Sequence, residues 1–499
     1  MNLVEMLDLN AAKFANKECL KYEGRALTFA GLKAAADRAA GLLQSWGVKR
    51  GDKVAVMSYN TPAFVISFFG ALKAGAAVVP VNHKLAAPEV DYILEHSEAR
   101  VFLFDAALDQ TARKVSTGAR IAVMDADVEG FERFETAMEK APSFKSVEIT
   151  DDDLAEILYT SGTTGKPKGC LHTHSNALFA GISGAMCMKI DEHDRLLMAM
   201  PIWHSSPLNN WFIGSQFMGA STVLLREYHP LKFLQAVQDE RCTLYFGAPI
   251  SYIMPAQIIP NFSQFDLSSM RCWIYGGGPI SGDVALMLME KYKSKNFYQV
   301  YGMTEAGPSG TVLYPTDQVS RAGSIGRVAI PGAVVTVMAG DREASPGEVG
   351  EIWIKSASMM KGYYKNAEGT AGAFAGGWYK TGDVARLDQD GYLYIVDRTK
   401  DMIVTGGENV YSKEVEDAIA AYPGVVETAV IGRPHPEWGE TVMALIVPKP
   451  DTTINEEELR AFLAEKLARY KIPRAIQFVQ ELPHTPSGKI KKYELRQME

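Results

Sequence analysis

Between residues 27 and 124 the sequence alternates helical apolar stripes with short runs that are apolar at almost every position. That alternation restricts the chain to parallel sheets covered by helices on both faces, because a strand apolar throughout has no side to turn to water. Leu32, Ala35, Ala39 and Leu42-Leu43 share one face of a helix opening at Leu27-Thr28-Phe29-Ala30. Strands are predicted at Lys53–Met57, Ala77–Val81, Val101–Phe104 and Ile121–Met124, with a helix over Pro62–Ala74. The most lipid-like stretch, Phe64 to Val81, is interrupted by Lys73, Gly75 and Pro80. It reads as a buried helix entering a core strand, and no membrane span is expected.

At 499 residues the chain is too long for one ordinary core and has room for about three units of roughly 150 residues. Its 47% hydrophobic and 22% charged residues exclude a disordered tail or a fibre. The formal charge of -8 leaves no basic excess for a polynucleotide backbone, so no nucleic-acid partner is expected. Cys19, Cys170, Cys187, Cys242 and Cys272 are odd in number and contain no CxxC pair. They read as thiols of a reducing compartment. The acidic N-terminus, Met1-Asn2-Leu3-Val4-Glu5-Met6, lacks the basic and apolar regions of a secretory signal, and a cytoplasmic location is expected.

From about Ala322 the texture becomes that of a small antiparallel β unit, with Val334–Met338 and Gly350–Ile354 flanking a turn-rich segment and Tyr392–Val396 following Asp390-Gly391. Beyond Arg398 short α/β elements return, and Asn455 caps a predicted helix with Leu459, Phe462, Leu463 and Leu467 on one face. The main boundary is expected near Asp397–Asp401.

Tyr159-Thr160-Ser161-Gly162-Thr163-Thr164-Gly165-Lys166-Pro167-Lys168-Gly169 places four Ser/Thr hydroxyls, three glycines and two lysines in eleven residues. Glycines let backbone N–H groups approach an anion, hydroxyls donate to phosphate oxygens, and lysines supply positive charge. Pro167 after Lys166 excludes a Walker A loop, which requires Ser or Thr there. A flexible surface linker is the plainer alternative.

The segment resembles the phosphate-binding loop of the adenylate-forming superfamily, which includes acyl-CoA synthetases, aryl-CoA ligases, luciferases and peptide-synthetase adenylation domains. Further motifs resemble that superfamily in the same order: Tyr275-Gly276-Gly277-Gly278-Pro279, Tyr301-Gly302-Met303-Thr304-Glu305, Tyr379-Lys380-Thr381-Gly382-Asp383, Asp397-Arg398-Thr399-Lys400-Asp401 with Gly406-Gly407-Glu408-Asn409, and Pro486-Ser487-Gly488-Lys489. The resemblance implies an α/β fold. Its large N-terminal domain, residues 1–397, would hold two parallel αβ subdomains and a small antiparallel β-barrel. Residues 398–401 would form the hinge, and 402–499 a small, mobile α+β lid.

The resemblance also implies roles. Thr160 to Thr164 and Lys168 would hold the β- and γ-phosphates of ATP. Thr304 would donate to the α-phosphate, and Glu305 would bind Mg²⁺. Tyr301 would stack on adenine, opposite Gly276, Gly277, Gly278 and Pro279, with Gly302 and Met303 alongside. Asp383 would accept from the ribose hydroxyls, with Arg398 nearby. Lys489 would neutralise charge developing between carboxylate and α-phosphate, and rotation about Lys400 would deliver it. Gly406, Gly407 and Glu408 would then line the route of the CoA thiol. Taken singly, Glu305 reads as a turn carboxylate, Gly382-Asp383 as a surface turn and Lys489 as a tail lysine.

Pro201-Ile202-Trp203-His204-Ser205 resembles the motif beside the substrate carboxylate. His204 stands where amino-acid-activating relatives carry an aspartate, so no partner for an α-amino group is expected. Acetate-specific relatives place tryptophan where Gly302 stands, which implies an open pocket floor here. Trp203, Trp211, Phe212, Phe246 and Met303 are candidate apolar lining, with plain core the alternative for each. His172, His174 and His193 read as structural, with no acidic ligand at a recognised spacing.

These features point to an acyl-CoA synthetase that uses ATP, Mg²⁺ and CoA on a medium-chain, branched, cyclic or aromatic acid. An o-succinylbenzoate-type or other aryl-CoA ligase is the near alternative. A luciferase-like oxygenase, a ligase loading a carrier protein and an inactive nucleotide-binding protein complete the alternatives. No fused carrier domain is expected, free CoA is the expected acceptor, and a homo-oligomer is compatible with all of these readings.

Overall fold

Helix starts are set by local capping. Thr28 accepts the Gly31 N–H to open the helix Phe29–Ser45, and Thr61 accepts the Phe64 N–H to open Pro62–Lys73, where Pro62 takes a position that needs no N–H partner. Strands Lys53–Met57 and Ala77–Val81 are buried along almost their whole length. They pair in parallel, each packed by helices. In this computed structural model residues 1–160, 167–278, 280–398, 401–405, 408–435, 439–450, 452–467, 469–484 and 490–497 are described. The phosphate-loop positions Ser161, Gly162, Thr163 and Thr164, together with Pro279, Lys400, Gly406, Gly407 and Lys489, lie outside them.

The chain divides into two compact units, Met1–Val335 with Ile354–Tyr379, and Thr336–Trp353 with Lys380–Glu499. The first contains two sheets. A seven-stranded sheet runs in the order Glu132–Arg133, Arg120–Met124, Ala99–Asp105, Lys53–Met57, Ala77–Val81, Leu154–Thr160, Lys168–Thr173. It is parallel except for the last pair, which flanks the expected phosphate loop. A nine-stranded sheet has a parallel centre built from Glu18–Tyr22, Ser221–Leu224, Arg195–Met198, Leu244–Gly247, Cys272–Gly276 and Phe297–Gly302, with antiparallel strands at both edges.

The antiparallel portion predicted as a small barrel is a curled six-stranded sheet that includes Ala333–Ala339, Val349–Ser356, Trp378–Leu387 and Leu393–Arg398. In the C-terminal part of the second unit, a five-stranded sheet centred on Val425–His435 and Gly439–Pro448 packs helices Ser412–Ala420 and Glu456–Ala464 around Val415, Ile419, Val430, Leu459 and Leu463. Asn455 caps the second of these helices, as predicted. The five cysteines are all buried and unbonded. No helix among the described residues is long and apolar enough to cross a membrane.

Candidate active site

The phosphate-loop hairpin is anchored at both ends. Thr160 and Lys168 face each other as register partners. The Tyr159 hydroxyl lies 2.7 Å from His96 Nδ1, and the Tyr92 hydroxyl donates to the Pro167 carbonyl at 3.2 Å. The segment 361–364 runs beside the returning strand through Lys361 N to Leu171 O and Tyr364 N to Gly169 O, both 2.8 Å. This places the Tyr363 ring under Lys168 Nζ, 4.9 Å from the ring centroid.

Thr304 and Glu305 sit on a single 3₁₀ turn, Thr304–Ala306, that follows strand Phe297–Gly302. The turn closes at Gly307 with φ +66°, and a Cβ there would come within 2.0 Å of the Ser358 carbonyl oxygen, so only glycine fits. The following loop clamps it: Ser358 Oγ donates to Ala306 O at 2.8 Å and Met360 N to Glu305 O at 2.9 Å. The Glu305 side chain is only 8% exposed and accepts a hydrogen bond from the Tyr363 hydroxyl at 3.1 Å. Burial, then the Glu305 carboxylate, pushes the Tyr363 and Tyr379 hydroxyls far above the usual tyrosine range, so both remain protonated donors. Glu305 follows Thr304 on this turn, and a buried carboxylate and a hydroxyl are hard oxygen donors of the kind Mg²⁺ takes.

The Pro201–Ser205 motif meets this turn directly. Ser205 Oγ lies 3.0 Å from Thr304 Oγ1. His204 beside it is exposed, its backbone N–H bonded to Pro201 O at 3.1 Å. Half-buried Trp203 donates through Nε1 to His83 Nδ1 at 2.9 Å, which pins its ring. Burial lowers His83 to about 4, so it stays a neutral acceptor at physiological pH. Trp211 is buried and stacks on half-buried Phe246, ring centroids 5.5 Å apart. Phe212 lies wholly within the core against Phe69.

The glycines divide by purpose. Gly277 has φ +83° with nothing within 4 Å of a Cβ, a turn with free space above it. A Cβ on Gly276 would meet the Val300 carbonyl oxygen at 2.9 Å, so that residue is glycine for packing. Gly302 is exposed, yet a Cβ built on it would lie 2.4 Å from the Pro308 carbonyl oxygen, and its register partner Gly310 is equally confined. The tight strand pair therefore demands glycine at 302, a requirement separate from the pocket floor. Half-buried Tyr301 precedes it, and Met303 packs on the cluster of Cys170, Met360, Tyr363 and Tyr379.

His172 and His174 are buried, and burial lowers both to about 4; His193 is exposed. Among the described residues no His, Cys, Asp and Glu group could hold a metal by clustering.

In the second unit Asp383 is 5% exposed on strand Trp378–Leu387, its N–H bonded to Thr381 Oγ1 at 3.0 Å, and it is the register partner of Arg398. Arg398 and Glu408 are described as backbone positions on their strands. Sequence reasoning missed the supports of the expected hinge. Asp397 accepts from the Ser412 N–H and from Ser412 Oγ, the latter at 3.1 Å, at the start of helix Ser412–Ala420. Lys492 Nζ donates to Ser412 Oγ at 2.6 Å, and Arg496 donates to Asp401 at 2.7 Å. Separations of 80 and 95 residues hid these contacts from any local pattern.

Tyr363 joins the hairpin to the turn, its ring under Lys168 and its hydroxyl on Glu305, an arrangement that fits an adenylate-forming class of enzyme. The chain belongs to that family: residues 7–364 match the family described as AMP-binding enzyme, and 414–489 match the AMP-binding enzyme C-terminal domain. It is 37% identical over 480 residues to a feruloyl-CoA synthase from Amycolatopsis sp, covering 96% of this chain and 95% of the relative. It is 36% identical over 477 residues to a long-chain-fatty-acid–CoA ligase from Mycobacterium tuberculosis, covering 94% and 93%. Among solved structures, the o-succinylbenzoate coenzyme A synthetase from Bacillus subtilis in complex with ATP and magnesium ion matches with TM-score 0.87 and 29% identity, over 99% of this chain and 98% of that one. The same synthetase in complex with its acyl-adenylate intermediate matches with TM-score 0.89 and 29% identity, over 99% and 98%. The protein is thus an enzyme of the acyl- and aryl-CoA ligase family.

Proposed function

We propose that the enzyme joins a carboxylic acid to the α-phosphorus of ATP, expelling pyrophosphate, and then transfers the acyl group from AMP to the thiol of CoA in the cytoplasm. The observation that carries this reading is the Ser205–Thr304 contact, because it brings the acid-side motif against the turn that bears Thr304 and Glu305. Two anions must meet for this reaction, so donors and cations aimed at the phosphates supply most of the catalysis. Thr160 and Lys168 hold the β- and γ-phosphates, Thr304 donates to the α-phosphate, and Glu305, steadied by Tyr363, holds Mg²⁺. The cation, when bound, offsets phosphate charge. Tyr301 and Gly277 border adenine, and Asp383 with Arg398 takes the ribose. The large domain, 1–397, and the lid, 402–499, alternate about Lys400. One arrangement brings in Lys489 for adenylation, and the other brings Gly406, Gly407 and Glu408 to the thiol route.

The acid is an apolar monocarboxylate of medium, branched, cyclic or aromatic form, met by His204, Trp203, Phe246 and Met303. Similarity to a feruloyl-CoA synthase supports the aromatic end of that range. Pyrophosphate release across a panel of carboxylates, with CoA present and absent, tests the proposal. Release with cinnamate-type acids and thioester formation with CoA support it; release with no acid, or transfer only to a carrier protein, overturns it.

A further inference from the structure

A buried polar pair lies outside every role assigned above. Glu156 sits within strand Leu154–Thr160, four residues before the phosphate loop opens, and is wholly buried. One of its carboxyl oxygens accepts a hydrogen bond from the Asn209 side-chain amide. Asn209 belongs to the π-helical segment Ser206–Ile213, which directly follows His204 and Ser205.

That segment is docked backbone to backbone on helix His174–Met188. A Cβ on Gly181 would stand 2.8 Å from Gly214 N, and one on Gly184 would stand 2.7 Å from the Asn210 carbonyl oxygen. A π-helical turn has poorer internal hydrogen bonding than an α-helix and recurs at functional sites, so its geometry depends on outside anchors. On the neighbouring strand the register partner of Glu156 is His172, whose buried ring faces the backbone of Thr304 and Ser358.

We propose that Glu156 and Asn209 act as a positioning pair, locking the strand that ends in Thr160 to the segment that carries His204 and Ser205, so that the phosphate and carboxylate ends of the site keep one register. The proposal rests on the adenylation reading. Neither residue touches a substrate; both act through Thr160 and Ser205. Among the described residues, Glu156 Oε2 and Asn209 Oδ1 have no hydrogen-bond partner, so the single bond between the residues carries the connection. Burial pushes the Glu156 carboxyl up to about 7, which makes glutamine a close mimic of its protonated form.

The test compares Glu156→Leu, Asn209→Leu, the double variant and Glu156→Gln. Pyrophosphate release at saturating ATP and acid is normalised to active sites counted by the acyl-adenylate burst. Thioester formation from supplied acyl-adenylate serves as the control. Loss of register in the transition state lowers kcat and leaves KM nearly unchanged. Each leucine variant should lose about tenfold or more in adenylation kcat, with KM for ATP and acid held within about threefold. The double variant should lose no more than the worse single one, and Glu156→Gln should stay within about threefold of wild type.

Unchanged kcat per active site, additive losses, or equal damage by glutamine and leucine would each overturn the pairing. If the leucine variants do not fold, the exchanged pair Glu156→Gln with Asn209→Asp provides the decision: it should recover activity lost by Asn209→Asp alone, and no recovery overturns the proposal. A wild-type enzyme that releases no pyrophosphate with any acid overturns the adenylation reading itself, whereas an active wild type with unaffected variants overturns the pair alone.

Discussion

Replacing Tyr363 by phenylalanine removes one oxygen atom and tests the assignment of Glu305 as the Mg²⁺ carboxylate. The hydroxyl donates to Glu305 Oε1 at 3.1 Å, and both side chains are only 8% exposed. A hydrogen bond to a charged group contributes roughly 1.5–3 kcal/mol net. Partners that orient a metal-binding carboxylate typically govern about 10- to 100-fold in metal affinity, which agrees with that energy. Phenylalanine keeps the ring beneath Lys168, so the cation–π contact at 4.9 Å survives, and the change falls on the hydroxyl's two partners, Glu305 and the buried Tyr379 hydroxyl. Because burial and Glu305 hold the Tyr363 hydroxyl in its protonated form, the loss should be the same across neutral pH.

The assay follows pyrophosphate release at fixed ATP and acid while Mg²⁺ is varied, with the thermal shift produced by MgATP as a second readout. Tyr363→Phe should raise the Mg²⁺ concentration for half-maximal rate by about tenfold or more and shrink the MgATP-induced shift. Its rate at saturating Mg²⁺ should stay near that of wild type. An unchanged Mg²⁺ requirement in a folded variant would refute the reasoning, because Glu305 would then act without Tyr363 or not bind the cation.

Lys489→Ala should lose about 10²–10³ in adenylation while thioester formation from supplied acyl-adenylate stays nearly intact, and equal losses in both half-reactions would contradict the role given to Lys489. Lys400→Pro, which fixes φ near -65°, should separate the two half-reactions, and unchanged rates in both would remove the hinge from the mechanism. Stability should also respond to pH through Glu156. Its carboxyl is raised from the ordinary 4.5 to about 7, so the native state keeps a proton the unfolded chain has lost. That contribution, about 3 kcal/mol, is complete below the ordinary value and fades as pH rises through the folded one. Thermal melts should therefore show Glu156→Gln gaining on wild type from pH 5 to pH 8, and a constant difference would refute the assignment. Burial of His83, His172 and His174, each lowered to about 4, acts in the opposite sense below about pH 6.5 and is common to both proteins.

Local order was legible where the physics is local. Lys53–Met57 and Ala77–Val81 emerge with the bounds read from the sequence, because each apolar run is closed by turn or helix-start residues. The helix after Asn455 follows from its cap and its leucine spacing. The π-helical Ser206–Ile213 was not legible, since its pattern fits no 3.6-residue repeat. Nor was the pairing of Glu18–Tyr22 with Ser221–Leu224, strands separated by some two hundred residues.

The same division runs through the site. Gly302 drew attention as a pocket residue, whereas the backbone shows the Pro308 carbonyl occupying the place of its Cβ. Thr304, Glu305 and Ser205 could be named from their motifs, but the hydroxyl contact between Ser205 and Thr304 joins residues 99 apart, and that from Tyr363 to Glu305 joins residues 58 apart. Residue type, spacing and motif order are written along the chain, so they determined the family, the sheet-and-helix alternation and the chemical inventory. Which side chains share a hydrogen bond, which carboxylates lose their water and which glycines face a carbonyl depend on strands crossing in three dimensions, and only the tertiary structure decided them.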